Sequence, residues 1–96
     1  MLIKFHPSAE DEFLHAVDYY EDIQSHLGLE FASEVYEAIE RIESFPQAWQ
    51  KMTSKTRRCL INRFPFGVIY HIREDTLIIV AVMHLSKKPN YWKERI

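Results

Sequence analysis

The sequence predicts a single α+β domain in which two antiparallel helices pack on one face of a mainly antiparallel sheet. Three observations carry this. Two stretches of the first half repeat apolar residues at three- and four-residue steps, the period of an amphipathic helix, and Gly28 separates them. The second half instead alternates apolar and polar residues and contains the unbroken apolar run Leu77–Met83, which are strand patterns. Finally, 96 residues with 47% hydrophobic and 14% aromatic content, against two glycines and four prolines, supply one modest core for one domain, residues 1–96, and exclude disorder.

Met1–His6 predicts a short strand whose apolar content is Leu2, Ile3 and Phe5. Pro7 ends it, and Ser8 is the expected N-cap of a helix, with Asp11 at N3 in a weak capping box. Glu10, Asp11 and Glu12 crowd the first turn, where the helix dipole favours negative charge. Phe13, Ala16, Val17, Tyr20, Ile23 and Leu27 form the apolar stripe, and Gly28 is the expected stop, taking the left-handed C-cap conformation. A second helix carries Phe31, Val35, Ala38, Ile39, Ile42 and Phe45 on its inner stripe and closes at Pro46. Glu30, Glu34, Glu37, Glu40 and Glu43 line much of its remaining surface. Two helices joined at one glycine form an antiparallel hairpin, and something flat must cover both stripes.

Pro46–Thr56 reads as a polar loop anchored by Trp49, and Arg57–Arg63 as a strand. Phe64-Pro65 breaks the ladder, because proline donates no backbone hydrogen bond and pushes Phe64 to an extended conformation. Phe66–Arg73 is a second strand with Phe66, Val68, Tyr70 and Ile72 on one face. Glu74-Asp75 turns tightly into Thr76–His84, whose two apolar faces place it centrally. The expected order is therefore an N-terminal strand, a two-helix hairpin and a three-stranded antiparallel meander. The opposite sheet face and the basic, aromatic segment Leu85–Ile96 are left to bind a partner.

Composition then narrows the function. A lone cysteine, Cys59, excludes an intrachain disulfide framework and fits a reducing compartment. Met1–Glu12 lacks the apolar core of roughly 7–15 residues that marks a secretory signal. No apolar run approaches the roughly 18 residues of a membrane span, so the expected location is the cytoplasm, without a membrane. Five histidines show no metal-ligand spacing, two glycines cannot build a phosphate loop, and no G-x-S-x-G occurs. No metal and no cofactor are expected. Charge is the informative property. Residues 1–46 hold eleven acids against Lys4 and Arg41, a balance of −9, while residues 47–96 hold ten bases against three acids, +7. Such polarity suits an acidic partner, a nucleic acid or an acidic protein segment; Glu-rich helix surfaces alone would also produce it.

The basic set is Arg57, Arg58, Arg63, Lys87, Lys88, Lys93 and Arg95, interleaved with His84, Tyr91 and Trp92. Cations stabilise phosphate charge and aromatic faces stack on unpaired bases. A metal-free ribonuclease needs a base, an acid and cations for the developing phosphorane, roles that Arg63, His84, Lys87 and Tyr91 could fill. Alternatively, the arginines simply solvate a sheet face while Tyr91 and Trp92 dock the tail onto the core.

Ala16-Val17-Asp18-Tyr19-Tyr20-Glu21, Gly28-Leu29-Glu30-Phe31, Arg57-Arg58 with Arg63-Phe64-Pro65-Phe66-Gly67-Val68-Ile69-Tyr70, and Val80-Ala81-Val82-Met83-His84 with Lys87-Lys88-Pro89 and Trp92 follow a known order. Together they resemble the RelE/ParE superfamily of type II toxin–antitoxin toxins, particularly its ParE-like branch. The resemblance implies the same strand–helix–helix–three-strand order. It also implies a cognate antitoxin that wraps the toxin, and one of two targets. RelE-like toxins cut messenger RNA on the ribosome, whereas ParE-like toxins poison DNA gyrase. A catalytic arginine of RelE-like enzymes falls where this chain has Gly67, while Lys87 falls near a second one and Tyr91 or Trp92 near a terminal aromatic. Glycine cannot hold phosphorane charge, which favours the gyrase branch over ribosome and messenger RNA. The expected target contacts are Arg57, Arg58, Arg63, Lys87, Lys88, Tyr91, Trp92 and Arg95. A non-toxic module that only binds an antitoxin is the remaining alternative, and the residues leave a homodimer open.

Overall fold

The computed structural model describes all 96 residues. Strand β1 (Leu2–Phe5) leads into helices α1 (Pro7–Ile23) and α2 (Leu27–Ser44). The strands β2 (Gln50–Lys51), β3 (Arg57–Leu60), β4 (Phe66–Arg73) and β5 (Thr76–His84) follow, then a 3-10 turn at Lys93–Arg95. The sheet order is β1-β5-β4-β3-β2; β1 runs parallel to β5 and every other pairing is antiparallel. The α+β architecture and the central position of the strand from Thr76 are as expected. Four strands rather than three follow the helices. The extra one, β2, lies inside the predicted polar loop and pairs Gln50 with Arg58 and Lys51 with Arg57. Two residues are too few for an alternation to show. β3 stops at Leu60, short of the expected Arg63, because Arg63 takes a left-handed φ of 71° ahead of Phe64-Pro65.

Both helix boundaries depart from the expected caps, for local reasons. The N-cap of α1 is His6, not Ser8: its Nδ1 accepts the Ser8 N–H at 3.1 Å. Pro7 then occupies the first turn, where its fixed φ fits and no N–H is needed. At the hairpin, α1 ends at Gln24 and the left-handed residue is His26 (φ 75°), not Gly28. Gly28 sits in the first turn of α2 and serves close approach. A Cβ there would lie 2.5 Å from the Val17 carbonyl oxygen and 3.0 Å from Glu21 Cβ. With no capping side chain of its own, α2 borrows one. Glu21 accepts the His26 N–H at 2.9 Å and the Gly28 N–H at 3.0 Å. These bonds, the His26 one first, hold the Glu21 carboxyl below its ordinary range.

Gly28→Ala should consequently destabilise the chain by about 1–3 kcal/mol through overpacking, despite alanine's better helix propensity. Thermal unfolding measures this, and an unchanged or raised midpoint would contradict the close contact.

The main core lies between the helices and one sheet face. Phe13, Phe31, Val35 and Ile42 from the helices meet Val68, Tyr70, Leu77 and Ile79 from the strands, with Cys59 fully buried among them. Ile23 and Phe45 were expected on the inner stripes, but they end their helices and are mostly exposed. On the outer face a smaller cluster gathers Ile69, Val80, Ala81, Met83 and Trp92. The C-terminal tail thus covers the face that the sequence left open for a partner. A register shift opposite Ile69/Tyr70, where Ile69 pairs with Ala81 and Tyr70 with Ile79, leaves Val80 as an extra residue in β5.

Candidate functional site

An open cleft of about 750 Å³ lies between α1, the end of β5 and the tail. Its wall is apolar at Ala16, Tyr20, Phe66 and Val82 and polar at Glu12, His84, Lys87 and Tyr91. The position of these groups follows from strand lengths. β1 ends at Phe5, opposite Ile79, so β5 has no strand neighbour on that side beyond this point. Side chains fill the gap. Glu12 Oε1 accepts the Val82 N–H at 3.0 Å, and Arg95 Nη1 donates to the Val80 carbonyl at 3.1 Å. The two side chains also pair with each other, Nη1 to Oε1 and Nη2 to Oε2, both at 3.0 Å. Tyr91 donates its hydroxyl to Glu12 Oε2 at 2.8 Å. One carboxylate thereby ties α1, the β5 edge and the tail together.

Burial, reinforced by the hydrogen bond to Glu12, pushes the Tyr91 phenol well above its ordinary range, so it stays protonated and committed as a donor. Its ring lies beneath the Lys87 ammonium (5.8 Å) and the Arg95 guanidinium (5.1 Å). His84 Nδ1 accepts both the Ser86 N–H at 3.0 Å and the Ser86 hydroxyl at 2.7 Å, which leaves the proton of the neutral ring on Nε2. The ring stands edge-on to Phe66.

The structure therefore brings His84, Lys87 and Tyr91 to one cleft, sets Arg95 behind its wall against Glu12 and the Tyr91 ring, and separates the other predicted residues. Arg57 and Arg58 are consecutive on β3 and face opposite sides. Arg57, opposite Tyr70, donates to the Trp49 carbonyl at 2.9 Å on the helix side. Arg58, opposite Ile69, donates to Gln50 Oε1 at 2.9 Å on the outer side. Its stem lies over Gly67, where a Cβ would come within 3.0 Å of Arg58 Cγ and Cδ. Arg63 turns to α2 and pairs with Glu30 at 2.6 Å and more loosely with Glu34 at 3.9 Å. Trp92 is 0% exposed and presents no surface. Lys88 is exposed. Glu12, expected only as one of three acids near the start of α1, is the functional residue that the sequence did not reveal. It follows the histidine cap by only two helical turns, and nothing in its spacing announced a partner 83 residues away.

The chromosomal ParDE TA system from P. aeruginosa is a similar solved structure, with a TM-score of 0.63 at 14% identity, covering 90% of this chain and 97% of that chain. At that identity the likeness is one of fold. No curated protein matches the sequence. The family model described as "ParE toxin of type II toxin-antitoxin system, parDE" matches residues 3–89, from the second residue of β1 through both helices and every later strand. This chain belongs to the ParE toxin family of type II toxin–antitoxin systems.

Proposed function

We propose that the chain is the toxin of a type II pair, held inactive in the cytoplasm by a cognate antitoxin and acting by binding DNA gyrase rather than by catalysing a reaction. The family match over residues 3–89 carries the toxin reading. The cleft between α1 and the tail supports the antitoxin reading. Tyr19 and Ile23 stand 62% and 58% exposed on its rim, more apolar surface than an isolated helix end needs, and an antitoxin segment would cover it. Two groups bear on the choice of gyrase over messenger RNA. Gly67 stands where RelE-like nucleases carry an arginine, and the Tyr91 hydroxyl is already donated to Glu12. The proposed gyrase contacts are Lys87 and Lys88, the half-buried Arg57 and Arg58 on opposite faces of β3, and Arg63, which would have to give up its pairing with Glu30, while Tyr91, Trp92 and Arg95 hold the tail from which the lysines project.

Expression of the chain alone should arrest growth, and co-expression with the neighbouring antitoxin gene should restore it. Purified toxin should inhibit supercoiling by gyrase and leave ribosome-bound message intact. Arg57→Ala with Arg58→Ala should weaken gyrase inhibition by roughly tenfold or more, as truncation of interface arginines does. Cleavage of message, lost in Lys87→Ala, would replace this reading with the nuclease one. Normal growth from a soluble, folded chain would reject both.

A further inference from the structure

A second pocket, of about 620 Å³, opens at the other end of β4, and it shares no residue with the cleft. Lys51, Lys55 and Arg57 line it from three segments, β2, the loop after it and β3, and His71 of β4 completes the wall. No acidic residue lines it. None of these side chains pairs with a carboxylate, whereas Arg63 and Arg95 elsewhere in the chain are both neutralised by glutamates. The three charges of Lys51, Lys55 and Arg57, gathered without a counter-charge, repel one another and cost stability, a cost that an anionic ligand removes.

The pocket is also held in shape. Thr53 Oγ1 accepts the N–H groups of Lys55 and Thr56 at 3.2 and 3.1 Å and pairs with the Thr56 hydroxyl at 2.7 Å, which fixes the loop that carries Lys55. His71 Nδ1 donates to the Lys55 carbonyl at 3.0 Å, which ties the loop to β4. Arg57 spends one Nη1 bond on the Trp49 carbonyl, which orients the guanidinium and leaves its remaining donors without a protein partner. Prior ordering of this kind lowers the entropy lost on binding.

We propose that this pocket binds phosphate groups. A phosphate presents several acceptor oxygens and up to two negative charges, and it can engage a guanidinium and two ammonium groups at once. An isolated carboxylate would answer only part of that set. Apolar residues are a minority of the lining, so an acidic peptide would find little to pack its backbone and neighbouring side chains against. The phosphates of a free nucleotide and those of a nucleic-acid backbone have this chemistry in common. Arg57 is common to this site and to the proposed gyrase contacts, but Lys51 and Lys55, which test the site, are not, so neither proposal falls with the other.

Calorimetric titration of the full chain in chloride buffer tests it, with sodium pyrophosphate, a single-stranded deoxyoligonucleotide and hexaglutamate as probes. Lys51→Glu and Lys55→Glu should each weaken binding of the phosphate probes by about tenfold or more, as loss of a charge-assisted contact does. Lys93→Glu makes the same change of net charge at an exposed site outside the pocket, and should alter binding by about twofold or less at physiological salt. Tighter binding of the oligonucleotide than of pyrophosphate assigns the site to a strand, and the reverse to a free phosphate ligand; both uphold the proposal. Hexaglutamate binding as tightly as pyrophosphate, equal weakening by Lys93→Glu, or no binding of either phosphate probe would overturn it.

Discussion

Trp92→Ala is expected to destabilise the chain by about 3–5 kcal/mol, the range for deleting a fully buried aromatic side chain. Trp92 is 0% exposed and rests on Ile69, Val80, Ala81 and Met83, four residues that have no helix layer above them. Without the indole, this outer cluster would face water, and the transfer and cavity contributions would act together. The indole Nε1 has no hydrogen-bond partner, so the loss comes from apolar area and not from a broken polar contact. Trp92→Phe, which keeps a ring in the gap, should for that reason cost less, about 1–2 kcal/mol. Urea unfolding with both variants tests this. A Trp92→Ala loss under about 1 kcal/mol would mean that the tail does not seal the outer face.

The difference between Trp92 and its neighbours shows where the sequence was legible. Phe66, Val68, Tyr70 and Ile72 share a face as their period-two spacing requires, and the two-sided apolar run Leu77–Met83 lies between two neighbouring strands. These patterns have one structural solution. Short-range capping chemistry, by contrast, has several solutions. Ser8, Asp11 and Gly28 made a plausible cap and stop, yet a histidine ahead of a proline capped α1, and a glutamate from α1 capped α2. Side chains other than Ser, Thr, Asp and Asn rarely announce a cap, and Gly28 answers to a carbonyl eleven residues earlier, not to its own φ. β2 was invisible because two residues carry no period.

The site was legible as a list and not as a place. Charge segregation between the halves is real in the sequence, but composition cannot show that Arg57 and Arg58 leave β3 in opposite directions. Nor can it show that Arg63, through its left-handed backbone, swings back to Glu30. Lys51, Lys55 and His71 drew no attention in the chain, since they are scattered singly, and only the hairpin and the β3–β4 pairing bring them together with Arg57. His84, Lys87 and Tyr91 do converge, because the tail is pinned. What pins it is an acid among many in a Glu-rich helix, with a partner at the far end of the chain.

Glu12→Ala should accordingly cost about 2–4 kcal/mol, between the values for exposed and buried ion pairs, because the Arg95 and Glu12 side chains are 17% and 22% exposed. The variant strips a bidentate partner from Arg95, the acceptor from the Tyr91 hydroxyl and the acceptor from the Val82 N–H at the bare edge of β5. Glu12→Ala combined with Arg95→Ala should cost less than the two singles together, with a coupling of about 1–3 kcal/mol. Strict additivity in urea unfolding would show that the two side chains act independently. The same cluster gives an alkaline signature whose sign is fixed. The Tyr91 phenol is raised above its ordinary value of about 10, so the stability it confers is complete below that pH and declines as pH rises above it toward the folded-state value. Tyr91→Phe should flatten the decline in stability above pH 10, whereas Glu12→Ala should bring tyrosinate absorbance to lower pH. If neither profile moves, the phenol is not held by the carboxylate, and the tail must owe its position to Trp92 alone.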